Sequence, residues 1–265
     1  PFAEDLRVDH FWSVTSGWKI SDEKFMEDNE TISFMKLRAS YGTLGNYVGN
    51  NLYRSLLGGE ATYVFDGALV NGRAQGALAN PLAQWETAEK LDIGLDINFF
   101  DDRLTVVADY FEESRDNLLI QGFPVSGILG TGAPGGANPT VNAGTSKNTG
   151  GELAIGYKAL QTENANINLN YNVTYITNNV TEVQGGAFLE GGSFAIGNLP
   201  PSRMEVGQPI GYFLGLVTDG IFQNQSEVDN HPAQSELGAS STAPGDIRYK
   251  DMNGDGVINL EDRVN

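Results

Sequence analysis

The stretch D-M-N-G-D-G-V-I-N-L-E-D, residues 251–262, spaces its oxygen-bearing side chains for coordination chemistry. Read as a calcium loop, Asp251, Asn253 and Asp255 stand at the first, third and fifth places, and Gly256 at the sharp turn of the sixth. Val257 offers its carbonyl at the seventh, Asn259 stands at the ninth and Asp262 at the twelfth. Calcium takes about six to eight hard oxygens, and this spacing delivers them from one tight loop. Asp at the last place has a shorter arm than Glu, so bidentate reach is harder. The flank G-D-I-R-Y-K reads as strand rather than helix, so an ion here would stiffen a loop rather than switch a helix pair. A turn held by its own Asp and Asn side chain–backbone bonds accounts for the same residues without metal.

No second constellation supports chemistry. G-T-G-A-P-G (130–135) has the letters of a phosphate-binding glycine pattern. That pattern needs a strand before it and a helix after it, whereas Pro134 and the following G-A-N-P make a loop. His10 and His231 lie far apart in sequence, no cysteine is present and no G-x-S-x-G elbow occurs. The pairs Asp101–Asp102 and Glu112–Glu113 are sequence neighbours that fill a turn or diverge on a strand. Glycosidase carboxylates instead face each other across a cleft. We therefore expect no enzyme activity from this chain. Tyr47, Tyr53, Tyr63, Phe65, Phe123, Phe188 and Phe194 fall in loops. They suit stacking on sugar rings, packing against a partner, or packing on one another.

The elements that carry these residues read as strands. In N-I-N-L-N-Y-N-V-T-Y-I-T (166–177), Ile167, Leu169, Tyr171, Val173 and Tyr175 share one face and Asn166, Asn168, Asn170, Asn172 and Thr174 the other. L-D-I-G-L-D-I-N-F (91–99) alternates in the same way; F-D-D-R then signals a turn into a strand at 104–113. Further strands are expected at 8–20, 32–42, 151–158 and 210–222. Short connections near 21–30, 100–103 and 159–165 alternate with long, Gly-, Asn- and Pro-rich ones at 43–90, 117–150 and 178–209. Strict alternation fails at 210–222, which would put 223–250 on the short side unless another strand lies near 186–197.

The formal charge of −18 argues against nucleic acid and anionic headgroups as partners, and the absence of cysteine rules out disulfides and thiolate metal sites. No run approaches the roughly 18–20 apolar residues of a membrane helix, but barrel strands give only an alternating signal. A soluble sandwich gives the same alternation, with its apolar face on a core. Two features favour a membrane barrel: its short and long loops alternate, and Trp12, Trp18, Tyr41, Tyr110, Tyr171 and Tyr175 sit toward strand ends like interfacial girdles. The polar face, small and uncharged in places (Asn, Gly, Thr, Ser), suits a wet lumen or contact with a plug.

The order of the motifs narrows this further. L-R-A-S-Y-G-T-L-G-N (37–46) is followed by W-E-T-A-E-K-L-D-I-G-L-D-I-N-F-F-D-D-R-L-T-V-V-A-D-Y-F-E-E-S-R-D-N-L-L (85–119) and V-N-A-G-T-S-K-N-T-G-G-E-L (141–153). V-G-Q-P-I-G-Y-F-L-G-L-V-T-D-G-I-F-Q (206–223) and P-G-D-I-R-Y-K-D-M-N-G-D-G-V-I-N-L-E-D-R (244–263) complete the series. In this order the chain resembles the late barrel region of SusC/RagA-type TonB-dependent transporters of Bacteroidetes outer membranes. The resemblance implies an all-β, antiparallel transmembrane barrel segment with long extracellular loops. It would be part of a plugged barrel of about twenty-two strands. Residues 1–265 would then lie within the barrel domain, contribute about eight or nine strands, and contain the acidic 251–262 loop. It also implies a SusD-like surface lipoprotein as partner, energy from TonB–ExbB–ExbD, an oligosaccharide or peptide ligand, and outer-membrane lipid around the wall. Two alternatives stay open: a secreted, soluble β-module with a dockerin-like calcium loop, and a passive porin.

Overall fold

The computed structural model describes residues 2–48, 52–58, 61–131, 136–186, 188–192, 200–234 and 242–265, in two compact units, 1–187 and 188–265. In the first unit six strands form one antiparallel sheet in chain order: β1 (Ser13–Lys19), β2 (Ile32–Asn46), β3 (Glu86–Phe99), β4 (Leu104–Asp116), β5 (Gly144–Gln161) and β6 (Asn166–Val183). Each strand is hydrogen-bonded to the one before it. The chain therefore runs up and down, with the short connections at one end of the sheet and the long ones at the other.

Register decides what each face carries. One row across all six strands is Trp18, Leu37, Leu95, Ala108, Leu153 and Val173; the next is Ser16, Ala39, Ile93, Tyr110, Gly151 and Tyr175. A slip of one residue in any strand would put its apolar set among the aspartates and asparagines of the other face. The β3–β4 turn holds that register with three consecutive left-handed residues, Phe100, Asp101 and Asp102. Asp102 accepts hydrogen bonds from Asn98 (2.7 Å) and from the Ser33 hydroxyl (3.1 Å), which hold its carboxyl below the usual range.

Among the described residues no second layer covers either face of this sheet. The buried apolar side chains of the first unit lie mostly in the long connections: Phe2, Ala83, Leu118, Leu119 and Ala143, with Val180 at the long-connection end of β6. Phe2, Ala83 and Leu119 form a small core with Leu6, Val48, Leu52 and Trp85. Carboxamides tie this core together. Asn142 pairs with Gln84 as a strand would, accepting its N–H (3.0 Å) and donating to its carbonyl (2.9 Å), and also donates to the Asn117 carbonyl (2.8 Å). Asn80 donates to Thr140 O and accepts from Leu82 N.

The second unit is built from short pieces. β7 (Phe188–Gly191), β8 (Ser202–Glu205) and β9 (Tyr212–Phe213) form one sheet; β10 (Thr218–Ile221) pairs with β11 (Ile247–Tyr249). A one-turn helix, α1 (Gln225–Asp229), is capped by the Asn224 side chain. Glu190 accepts from both Arg203 and Arg263 (3.1 Å each), and the Arg203 guanidinium lies 3.8 Å from the centre of the Phe188 ring.

Two expectations are corrected. The wall has six strands among the described residues, not eight or nine. Residues 210–222 are not one wall strand but β9 and β10, separated by irregular chain. Gly211, with φ of 71°, turns the chain just before β9, and Gly220, with φ of 100°, lies inside β10 where its pairing with β11 shifts register. The parity problem then disappears, because no wall strand is described after β6. The additional strand sought near 186–197 is in part the short β7, in the second unit; residues 193–199 lie outside the described chain.

Asn142→Ala removes three hydrogen bonds between neighbouring connections. It is expected to destabilise them by about 1–3 kcal/mol and to make 78–85 and 117–131 cleavable by protease, with the wall strands still protected. Limited proteolysis followed by peptide mapping checks this.

Candidate functional site

The first functional surface is the apolar face. It carries Val14, Trp18, Leu37, Tyr41, Leu91, Ile93, Leu95, Ile97, Phe99, Leu104, Val106, Tyr110, Leu153, Ile155, Tyr157, Leu169, Tyr171, Val173 and Tyr175, without a charge among them. Large side chains stand bare: Tyr175 is 72% exposed, Tyr171 59%, Leu169 57% and Trp18 49%. Leu91 to Phe99 cover roughly 27 Å at ~3.4 Å per residue, the nine or so residues a tilted membrane strand needs. Polar groups mark both edges of the band. Toward the long connections, Lys147 pairs with Glu112 (2.7 Å), Tyr41 donates to Glu89 (3.3 Å), and the Trp12 ring lies 5.6 Å from that of Tyr41. Toward the short turns, Trp18 Nε1–H donates to Glu23 (2.9 Å) and Arg103 lies over Tyr157 (5.6 Å).

The opposite face is polar and centred on Arg38. From β2 its guanidinium crosses β3, forking onto Asp96 (Nε–Oδ2 and Nη2–Oδ1, both 2.9 Å) and reaching Asp109 on β4 (2.8 Å). Asp92 stands 4.0 Å away. Gly94 makes the crossing possible, because a Cβ there would lie 2.2 Å from Asp109 Oδ1 and 2.5 Å from Arg38 Nη2. Beside Asp109 on β5 is Glu152, which accepts from the Thr174 hydroxyl (3.4 Å). Nearer the long connections, Glu113 binds Lys90 (2.6 Å) and Arg115. Nearer the short turns the face becomes amide-rich and small: Asn168, Asn170 and Asn172 on β6 opposite Lys158, Gly156 and Ala154 on β5.

The sequence-predicted metal residues lie together in the second unit. Asp251 accepts from the N–H groups of Gly254 (2.6 Å) and Gly256 (2.9 Å), one on each carboxylate oxygen. Asn253 Oδ1 accepts from Asp255 N, Asp255 Oδ1 from Val257 N, and Asn259 Oδ1 from Glu261 N. Asp262 is fully buried and accepts from Asn259 N (2.8 Å), Met252 N (2.7 Å) and Asn253 N (3.3 Å). These donors, Asn259 first, hold its carboxyl below the ordinary range against the opposing effect of burial. Among the described residues no three His, Cys, Asp or Glu side chains form a metal cage. The predicted ligand set takes half its six members from Asn253, Asn259 and the Val257 carbonyl.

Other residues singled out by type are dispersed. Glu112 and Glu113 point to opposite faces, each in its own ion pair. His231 Nε2 meets the Tyr249 carbonyl (2.9 Å), so the proton sits on that nitrogen. Tyr47 packs on Trp85 in the loop core, Tyr53 lies under Arg54, and Tyr63 and Phe65 stack on an exposed hairpin. Phe194 and most of G-T-G-A-P-G, residues 132–135, lie outside the described chain.

A charge-free apolar band outside, fixed charges and amides on the other face, and long connections at one end describe a segment of barrel wall. The family model for the TonB dependent receptor-like β-barrel matches residues 6–261. The chain belongs to this family. TonB-dependent receptor P26 of Formosa agariphila is 27% identical over 263 residues, covering 99% of this chain and 26% of that protein. TonB-dependent receptor SusC of Bacteroides thetaiotaomicron is 30% identical over 198 residues, covering 70% of this chain and 18% of SusC. The solved structure of the RagAB peptide transporter superposes with a TM-score of 0.69 at 25% identity, over 84% of this chain and 23% of that one. The chain thus spans about a quarter of the length of the curated relatives it matches most fully.

Sequence reasoning missed the Arg38 cluster, since its members come from three strands with no local motif. The available signal was a single Arg on the same face as Asp92, Asp96 and Asp109, with Gly94 between them. Gly94→Ala is expected to push Arg38 off Asp109 and cost about 1 kcal/mol, the scale of a partly exposed ion pair. Arg38→Met should cost more, since three carboxylates then share a face. In the Arg38→Met background the same Gly94→Ala change should cost less but not nothing, since the Asp109 carboxylate must still move away from the added Cβ. A double-mutant cycle on unfolding of the detergent-solubilised whole protein measures the coupling.

Proposed function

We propose that this chain is a stretch of barrel wall and surface loops of an outer-membrane, TonB-dependent nutrient importer of the SusC type. The whole protein takes up oligosaccharide or peptide fragments with a SusD-like surface lipoprotein and draws energy from TonB–ExbB–ExbD. One observation carries the membrane part of this reading, namely the bare apolar face. A buried Leu, Ile, Val or Phe contributes about 1.5–3 kcal/mol. Even half of that over the band comes to tens of kcal/mol, more than the ~5–15 kcal/mol net stability of a domain. A soluble module with this face in water forgoes its main driving force; lipid supplies it. The family membership and the names of the relatives support coupling to TonB, and the likeness to RagAB supports a lidded importer with peptides among its candidate ligands.

The test uses the whole protein, solubilised from native outer membranes. Intact mass several times that of this chain, a co-purifying lipoprotein, and ligand uptake abolished by loss of TonB are expected. Conductance and uptake unchanged without TonB would make the protein a passive porin. A chain that is monodisperse in water without detergent would overturn the membrane reading itself.

The same reading includes a structural calcium ion in the 251–262 loop. Each oxygen of Asp251 accepts one backbone N–H, which fixes the direction of its remaining lone pair. Terbium luminescence competed by calcium, together with faster hydrogen exchange at 252–259 after chelation, is expected. Equal exchange rates with and without chelator would leave the loop a metal-free turn.

A further inference from the structure

The polar face changes character where β2, β3 and β4 approach the long connections. Around Arg38 three carboxylates surround one cation; nearer the connections two cations share one carboxylate. Lys90 binds Glu113 through Nζ (2.6 Å) and Arg115 binds it through Nε. The cations are about half exposed, 47% and 49%, against 14% for the carboxylate between them. The Nη1 and Nη2 groups of Arg115 meet no described residue, and Lys90 spends one of its three donors. Beside them the face turns apolar. Leu44 on β2 is 51% exposed and stands next to Ala88, its register partner on β3, and Ala88 in turn is opposite Arg115 on β4. Lys90 follows two residues after Ala88, on the same face. These four line a cleft of about 220 Å³, which Asn46 and Glu86 complete toward the long connections. Asn46 donates Nδ2 to Glu86 (2.7 Å), whose other oxygen accepts from Leu119 N (2.8 Å), so the Asn46 Oδ1 is left as an acceptor without a described partner.

We propose that this cleft takes the C-terminal residue of an oligopeptide. Arg115 and Lys90 hold its carboxylate, Leu44 and Ala88 its apolar side chain, and the Asn46 Oδ1 accepts its N–H. This rests on the importer reading above. The free edge of a guanidinium matches a carboxylate with two parallel hydrogen bonds, and capture of a terminal carboxylate is a recurring way to recognise a peptide by its end. Size points the same way. Ligand pockets run about 300–1,000 Å³, so a smaller cleft fits one residue and leaves the rest of the peptide outside it. An acidic sugar carries the same carboxylate, but its ring bears hydroxyls where the cleft has Leu44 and Ala88. Nor does an aromatic ring line the cleft to stack on a sugar face. An apolar floor directly beside a carboxylate fork is instead the arrangement of an α-amino acid, whose side chain and carboxylate leave the same carbon. The site therefore reads the end of a chain and leaves its internal sequence free.

The test uses the whole protein solubilised from native outer membranes, with three pools of random decapeptides. One ends in leucine with a free carboxylate, one in leucine amide, and one in serine with a free carboxylate. Equilibrium dialysis read by mass spectrometry measures binding of each. The leucine acid pool is expected to bind about tenfold more tightly than the amide pool, the scale of one charge-assisted contact. Arg115→Gln should erase that ratio, while Arg115→Lys, which keeps the charge and loses the fork, should keep part of it. Leu44→Asn should remove the preference for leucine over serine and leave the acid-to-amide ratio in place. Equal binding of the acid and amide pools by the unaltered protein refutes the site and leaves the importer reading standing. Binding of no peptide pool, with an oligouronate bound instead and lost in Arg115→Gln, makes the ligand an acidic sugar and overturns the peptide assignment. Binding of none of these, together with no TonB-dependent uptake of any of them, brings the importer reading down as well.

Discussion

Every other feature depends on a single sheet having to be stable without a core beneath it. Between β1 and β6 the main-chain groups pair in the ladders, as the backbone of any structure that crosses lipid must, while the outer edges of β1 and β6 have no partner strand among the described residues. The apolar burial that holds most folds together is small in the sheet itself, neither face of which another layer covers among the described residues. Stability on the apolar side must come from the surrounding medium, so that face is uniform and uncharged over four successive rows and changes character abruptly at Glu112, Lys147 and Glu89. Tyr41 stands at this change and Trp18 toward the opposite edge, because an aromatic ring with a polar handle fits a boundary between hydrocarbon and water. Tyr41 uses its hydroxyl on Glu89 and Trp18 its indole N–H on Glu23.

The polar face faces a different problem, since among the described residues no opposing layer interdigitates with it. It packs within itself instead, by laying long side chains of one strand over glycines of the next. Arg38 lies over Gly94 and binds two strands away; the Phe111 ring lies where a Cβ of Gly150 would stand, 2.5 Å from its nearest ring carbon. Each such crossing ties neighbouring strands through side chains as well as main chain, and it explains why glycine sits mid-strand despite its entropic disadvantage. The cluster around Arg38 is therefore a lateral clasp, and the unpaired excess of carboxylates around it sets an anionic field along that part of the face.

The extent to which the sequence was legible follows from this division. The strand 91–99 was read correctly because every alternate residue must face lipid, leaving period two intact. The opening of β5, G-T-S-K-N-T-G, carries no such signal, and is a strand because β4 and β6 pair it on both sides. Conversely, residues 8–12 looked like strand by their aromatics but precede β1, where Phe11 packs on Trp85 and the loop core. Residues 210–222 alternate well and still form no wall strand, because they pair in two short pieces with β8 and β11 instead. Local pattern reports which residues share a face; it does not report which neighbours a strand has. The acidic loop was legible as a closed turn from Asp251 and Asp262, whereas the Arg38 clasp required three strands in register.

The connections show the same constraint from the other side. Once the chain leaves the wall it loses lipid and keeps only short two-stranded ladders, and must bury apolar groups on its own. The first unit does so with a handful of residues, Phe2, Ala83 and Leu119 among them, and with carboxamide hydrogen bonds from Asn80 and Asn142. A core this small leaves the connections with little stability of their own. They are drawn from the low end of the local-stability range, as binding loops commonly are. Rigidity in the wall and adaptability in the loops are thus two consequences of where apolar area can be hidden.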